Sequence, residues 1–409
     1  MSQFTASLTP PANLPKMTHM KSSAFCSIAL SAVVFFGSTS RCTVSRAEGD
    51  WEITRESEQA LSRGLQWLAN NQGKHGNWES NDLGLVSTGA LAFLAAGHFP
   101  GRGKYGHTVQ RALDYVLQNA HSSGLLNISE PRRGMYNHGL STFVLGQVYG
   151  MSGDPKISSI LDRALKLIAQ TQCGDGGWDY VALRQERGHD LSLAVMQALA
   201  LRSAVDSGLE VQPEVVDLAI RSVREHYTPE GCPRNASEEE QKKHPGQFTY
   251  TKGGGNRTIA MAAAGVVCLQ EFGQYDDWRI EKNMEVISRA IHGPEMQQAT
   301  KNKRLRFDPY TQYYVAQALY QVGGQHWQRC YPLLRDNVVA SQVREPASPE
   351  RDGMWHGSGH VGGKPGDLYA TSVSCFVLAI PNRYLPILQE GKIDSLRARF
   401  GQPQKDKKQ

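Results

Sequence analysis

The chain has 409 residues, 40% of them hydrophobic and 20% charged, with a formal net charge of +5 at neutral pH. Such a composition belongs to a globular protein and excludes a disordered chain or a polytopic membrane protein. Part of the positive excess sits in the tail Lys405-Asp406-Lys407-Lys408 and in the stretch Lys301 to Arg306. Neither is interleaved with aromatic residues, so both read as solvated surface and no nucleic-acid partner is expected.

The first informative segment is the N-terminus. Lys21 precedes an apolar run from Ala24 to Gly37, and Ser45-Arg46-Ala47 places small residues where a signal peptidase reads. Residues 1–47 are therefore expected to be a secretory signal, starting at Met1, Met17 or Met20. The mature protein would be exported to periplasm, envelope or medium. The run is too short to span a bilayer, so no transmembrane segment is expected in the mature chain. Cleavage leaves Cys173, Cys232, Cys268, Cys330 and Cys375. This scattered, odd set has no Cys-x-x-Cys spacing and makes neither a disulfide framework nor a metal site, with room for one or two disulfides at most.

From residue 48 to about residue 390 two kinds of helix alternate, ahead of a basic polar tail at 391–409. Leu61, Leu65 and Leu68 mark an amphipathic helix, and Ser87 to His98 follows as a segment apolar on nearly every side. Leu113, Val116 and Leu117 precede the apolar run His138 to Gly150, and Leu161, Leu165 and Ile168 precede Asp190 to Ala204. Ala219, Ile220 and Val223 precede Thr258 to Gly273, across a polar excursion at Ser237 to His244. Ile280, Met284, Ile287 and Ile291 precede Asp308 to Gly323, and Leu333, Leu334 and Val338 precede Asp367 to Ile380.

A helix apolar all round must be covered by neighbours. Six wet and six dry helices in alternation satisfy this when the hairpins close into a ring with the dry set inside. The expected fold is all-α, an α/α toroid, that is, a double-layered α6/α6 barrel of helical hairpins. Asp154-Pro155 and Asp308-Pro309 read as helix starts, and Gly97, Gly150 and Gly273 as helix ends.

The joints carry a motif. Gln72 is followed by Gly76 and Trp78, and Gln172 by Gly176 and Trp178, in both cases as Gln-x5-Trp at the end of a wet helix. The amide can bond orphan groups of neighbouring helix ends while the indole covers the gap between hairpins. Trp355, in Asp352-Gly353-Met354-Trp355, resembles a degenerate third copy. This pattern resembles the Gln-Trp repeat of the terpenoid cyclase and protein prenyltransferase superfamily, and the chain is most similar to its secreted bacterial prenyltransferase and squalene oxidase repeat proteins. The resemblance runs from about Glu52 to about Pro386.

The resemblance implies two kinds of active site, and the residues depart from both. There is no Asp-x-Asp-Asp string of the kind that protonates squalene. Where the prenyltransferases hold zinc, Asp308-Pro309-Tyr310 has Tyr for Cys and Asp367-Leu368-Tyr369-Ala370-Thr371 has Ala for His. No metal and no cofactor is expected.

In a toroid the inner-helix N-termini gather at one rim, whose dipoles make it partly positive. His138, Asp190, Arg257, Asp308 and Asp367 fall there, with Tyr136, His356 and His360 near in sequence. The three aspartates suit N-caps. His138 suits either a hydrogen-bonded rim histidine or a proton shuttle, and with Asp190 it forms the candidate catalytic pair. Tyr136, Arg257, Asp308, Tyr310 and Asp367 are the candidate ligand contacts. Tyr310, Tyr313 and Tyr314 either line a cavity or fill the core. Three functions stay open. The first is a binding toroid for an apolar, isoprenoid-like or polymeric ligand, be it lipid, isoprenoid or glycan. The second is an enzyme on an isoprenoid. The third is a polysaccharide lyase or hydrolase using His138 and Asp190 at the barrel mouth.

Overall fold

The chain divides into two compact units, Met1–Arg46 and Ala47–Gln409. The computed structural model describes residues 51–233, 235–357 and 366–389, all within the second. The expected signal segment, His360 and the basic tail lie outside the described residues.

The wet helix α1 (Arg55–Asn70) leads into the dry α2 (Leu83–Ala95), α3 (Gly106–Gln118) into α4 (Gly134–Ser152), and α5 (Pro155–Thr171) into α6 (Leu191–Asp206). After α7 (Pro213–Glu225) comes an insertion of β1 (Tyr227–Pro229), the short α8 (Glu238–Gln241) and β2 (Gly246–Phe248). The dry α9 (Ile259–Glu271) follows. Next come α10 (Trp278–His292), α11 (Pro294–Lys301) and the dry α12 (Pro309–Val322). The last pair is α13 (Gly324–Ala340) and α14 (Gly366–Ala379).

The dry helices pack in one cycle: α2 on α4, then α6, α9, α12 and α14, and α14 back on α2. Outside them, α1 rests against α14 and α2, α5 against α4 and α6, and α7 against α6 and α9. Similarly, α10 and α13 cover the joins from α9 to α14. The ring is closed, and every residue of α6 from Leu191 to Val205 is buried.

Hydrogen bonds explain why glutamine and tryptophan stand at the joints. Gln72 Nε2 donates to Thr108 O (2.6 Å) and Gly76 O (3.2 Å), and Gln172 Nε2 to Val215 O (2.9 Å) and Gly176 O (3.1 Å). Each glutamine thus ties the end of one outer helix to the first turn of the next. The Trp78 and Trp178 indoles donate back to Leu68 O (2.8 Å) and Ile168 O (2.9 Å). The third joint is complete. Trp355 donates to Val338 O (2.8 Å), and its glutamine is Gln342, bonded to Ala60 O (2.8 Å) and Gly353 O (2.9 Å). Sequence spacing hides the glutamine of this copy, because residues 343–353 loop out between Gln342 and Trp355. The ring closes through it, α13 to α1.

Glycine between the two is required by close approach. Gly176 has φ of +84°, and a Cβ there would lie 2.2 Å from Leu218 O. Gly76 and Gly353 meet Arg111 and Arg63 of the following outer helix in the same way.

Some boundaries differ from expectation. Helix α4 runs through Gly150, which faces Ser207 and Pro386 and has little room for a side chain, and ends at Gly153 with φ of +65°. The polar excursion is a helical turn flanked by an antiparallel hairpin in which Tyr227 pairs with Phe248. Its apolar residues are too few to show a period of two.

The C-terminal ends of the dry helices are covered by the segment 380–389. Ile387 N donates to Gln147 Oε1 on α4 (3.0 Å), and Tyr320 of α12, across the ring, donates to Leu388 O. The lumen itself is crossed by Tyr314, whose hydroxyl reaches from α12 past α9 to Met196 Sδ on α6 (3.5 Å). Tyr313, Tyr314 and Phe376 are fully buried and packed ring against ring, so Tyr313 and Tyr314 fill the core.

Candidate functional site at the N-terminal mouth

Asp190 is the N-cap of α6, in extended conformation, and is buried. Its Oδ1 accepts from Ser192 N (2.9 Å), Leu193 N (3.3 Å) and the Ser192 hydroxyl. Its Oδ2 accepts from the Tyr180 hydroxyl, which is also bonded to the Tyr250 hydroxyl (2.6 Å). On the other side the Tyr136 hydroxyl bonds Ser192 Oγ. Four donors converge on one carboxylate, and three phenols surround it.

Each phenol arrives on a different element. Tyr136 stands in the first turn of α4. Tyr180 follows the joint tryptophan Trp178, and its carbonyl accepts from Met135 N (3.0 Å). Tyr250 follows β2 and accepts from Leu191 N through its carbonyl (3.1 Å). That loop is pinned by Lys252, paired with Asp175 (2.8 Å) and Glu225 (3.0 Å). A fourth phenol, Tyr310, enters from the start of α12, and its buried hydroxyl has no hydrogen-bond partner. Rings stack loosely around them, Tyr136 on Tyr180 at 5.7 Å and His189 on Tyr180 at 4.4 Å. Burial, reinforced by the charge of Asp190, raises the pKa of all four phenols, so they remain protonated. Tyr136, Tyr180, Tyr250 and Tyr310 are each partly exposed.

The expected partner of Asp190 is elsewhere. His138 is fully buried, with Nδ1 accepting from Leu126 N (3.2 Å) and Nε2 against Ala164 O (3.1 Å). Burial lowers its pKa to about 4. The ring is a neutral tie at the second joint, where Ala120 and Leu126 stand in place of Gln and Trp, and it does not reach the mouth. A polar residue in an apolar helix is read from sequence as rim chemistry, although burial with both nitrogens engaged satisfies it equally.

Arg257 is exposed and pairs with Glu230 (2.6 Å) on the insertion. Asp308 caps α12, accepting from Tyr310 N (3.1 Å), Thr311 N (3.2 Å) and Thr311 Oγ1 (2.6 Å). Asp367 lies within the first turn of α14 and holds Gly357 N (2.9 Å), beside His356 (3.6 Å). Sequence reasoning missed Tyr180, Ser192 and Tyr250, and also the Asp82–Arg133 pair (2.6 Å) at the start of α2. Asp82 alone was legible, since it precedes a dry helix as the other caps do. Among the described residues no group of three His, Cys, Asp or Glu is placed to hold a metal, and no helix is long and apolar enough to cross a membrane. Among the described residues Cys173, Cys232, Cys268, Cys330 and Cys375 are free thiols.

At the opposite end a cleft of about 770 Å³ is lined by Arg202, Glu271, Tyr275, Asp277, Tyr320 and neighbours. Two of its charges are paired, Arg202 with Asp206 (2.9 Å) and Asp277 with Arg224 (2.8 Å), while Glu271 lies 4.0 Å from Arg202.

No protein-family profile matches the chain, and no curated protein does. Among solved structures, a GH76 α-mannanase of Bacteroides thetaiotaomicron aligns over 81% of this chain and 97% of its own, at 10% identity and a TM-score of 0.50. The chain is an α/α toroid. An inactive variant of the α-1,6-mannanase GH76A of Salegentibacter sp. HEL1_6, in complex with α-1,6-mannotriose, aligns over 83% of this chain and all of its own at 10% identity and a TM-score of 0.49. A type II terpene cyclase from Scytonema covers 81% of this toroid at 10% identity with a TM-score of 0.31. At such identities the likeness is one of fold.

Proposed function

We propose that this toroid is an exported glycan-binding protein whose ligand sits at the N-terminal mouth. The observation that carries the reading is the phenol cluster converging on Asp190. Partly exposed tyrosine rings offer flat apolar faces for sugar rings, and their hydroxyls, ordered by a buried carboxylate, offer directional polar contacts beside them. An apolar, isoprenoid-like ligand asks for an open greasy lumen, and Tyr314 occupies that space. The mannanase of similar shape acts on mannan, which makes mannan the first polymer to try.

Cleavage by paired carboxylates requires a second free acid across the sugar. Of the other described acids at this rim, Asp82, Asp308 and Asp367 are occupied as an ion pair, a cap and a loop tie. Raised phenol pKa values likewise disfavour a tyrosinate base of the kind an eliminating lyase needs. Binding is therefore the reading preferred here. The test is a glycan microarray with purified protein and its Asp190→Ala variant, with reducing-sugar release measured in parallel. Retention of a glycan by the wild type and its loss in the variant are expected. Retention of lipid alone, or equal behaviour of the two proteins, would sink the proposal, and released reducing ends would convert it to a hydrolase.

A further inference from the structure

The directions of the hydroxyl protons bonded around Asp190, those of Tyr180, Tyr250, Ser192 and Tyr136, follow from counting donors. Asp190 takes two backbone N–H groups, one serine hydroxyl and one phenol, so its oxygens have only acceptor roles to play. A hydroxyl has one proton to give. The Tyr180 proton is spent on Asp190 Oδ2, so the bond between Tyr180 and Tyr250 (2.6 Å) must be donated by Tyr250. The Ser192 proton is likewise spent on Asp190 Oδ1, so Tyr136 must donate to Ser192 Oγ. Both chains run inward, and each ends in a phenol oxygen whose proton is already used.

Resting on the glycan reading, we propose that the mouth is a selector for ligands that donate hydrogen bonds, namely neutral or amine-bearing sugars, and that it rejects uronate, sulfate and phosphate groups. With their protons spent, Tyr250 and Tyr136 each have only lone pairs left to offer a ligand. A ligand hydroxyl or ammonium can donate to both, whereas an acceptor-only anion meets two lone pairs and the negative charge of Asp190 behind them. The raised pKa values of the phenols fit the same picture, since deprotonation would break a chain that the carboxylate holds together. Arg133 is committed to Asp82 through both Nε (3.0 Å) and Nη2 (2.6 Å) and offers an anion little, and His189 faces the carboxylate, with Nδ1 3.6 Å from Asp190 Oδ2.

The polarity can be inverted by one atom. Asp190→Asn keeps an oxygen for the backbone and Ser192 donors, and asparagine is a good N-cap. Its amide nitrogen, in place of Oδ2, donates to Tyr180, which frees Tyr180 to donate to Tyr250 and turns the Tyr250 proton outward.

Two measurements decide the matter. The first is a neutron map of the deuterated wild type. The expected result places deuterium from Tyr180 toward Asp190, from Tyr250 toward Tyr180 and from Tyr136 toward Ser192. A deuteron on the carboxyl, or one on Tyr250 pointing to solvent, overturns the proposal. The second is titration with mannan and with alginate, a polyuronate. Wild type should retain mannan over alginate. Tyr250→Phe and Tyr136→Phe should each weaken mannan binding roughly threefold to tenfold, the worth of one hydrogen bond. Asp190→Asn should shift the preference toward alginate. If wild type prefers alginate, the selector is wrong while glycan binding stands. If neither polymer is retained, the glycan reading falls, and the deuterium positions alone uphold or overturn the inward polarity.

Discussion

Replacing Gln172 by leucine isolates what one joint contributes to the ring. The side chain is buried, and Nε2 donates to both Val215 O (2.9 Å) and Gly176 O (3.1 Å). Leucine fills similar space and leaves two enclosed carbonyls short of a donor, at about 1–3 kcal/mol each, or roughly 2–6 kcal/mol together. Over the described residues, an unfolding entropy of about 2.1 cal/mol/K per residue amounts to roughly 0.7 kcal/mol/K, so the midpoint should fall by about 3–9 °C. Gln172→Glu should be worse, because a carboxylate of the same shape turns acceptors toward acceptors. Differential scanning calorimetry against Gln298→Leu, an exposed glutamine on α11, supplies the control. If Gln172→Leu unfolds with the control, the joint is not held by its amide and the reasoning fails.

Gly176→Ala places a methyl 2.2 Å from Leu218 O at positive φ and should destabilise by several kcal/mol, whereas Gly153→Ala, also at positive φ but in open space, should cost about 1 kcal/mol in urea melts. His138 has its pKa lowered to about 4 in the fold, against about 6.5 unfolded. The unfolded chain therefore takes up a proton that the fold refuses. Its contribution is present above pH 6.5 and is lost as pH falls toward 4, up to about 3 kcal/mol at 1.36 kcal/mol per pH unit. Denaturation at pH 7 and 4.5 should show a smaller loss in His138→Gln than in wild type. Burial raises the Glu271 carboxyl to about 7, with Arg202 4.0 Å away and better matched to Asp206. A raised acid favours the fold at low pH and opposes it as pH climbs through 7, so Glu271→Gln should stabilise at pH 8 and change little at pH 5. Equal effects at both pH values would place another group at the origin of the shift.

Sequence alone determined the layers. A helix such as Thr258 to Gly273 is apolar on all sides and has nowhere to go but inside, and the Leu61, Leu65, Leu68 stripe has one dry face and so lies outside. Two joints were equally legible, because Gln, Gly and Trp stand six residues apart or closer, although each glutamine also bonds the next outer helix, at Thr108 or Val215. The third was half-hidden: Gln342 and Trp355 meet only after the intervening loop folds back. Caps at Asp154, Asp190 and Asp308 followed from residue type, since an N-cap is a local arrangement.

What only the tertiary structure decided is the company each polar residue keeps. His138 and Asp190 look alike from sequence, polar groups at the start of dry helices, yet packing buries the first between backbone groups and gathers phenols around the second. Tyr180 and Tyr250 are separated along the chain by the whole of α6, α7 and the hairpin, and nothing in either neighbourhood announces their meeting. Secondary structure is written in nearest neighbours and hydrophobic period, whereas a site is a convergence of distant loops, fixed only when the ring closes and brings the N-terminal ends of its inner helices together.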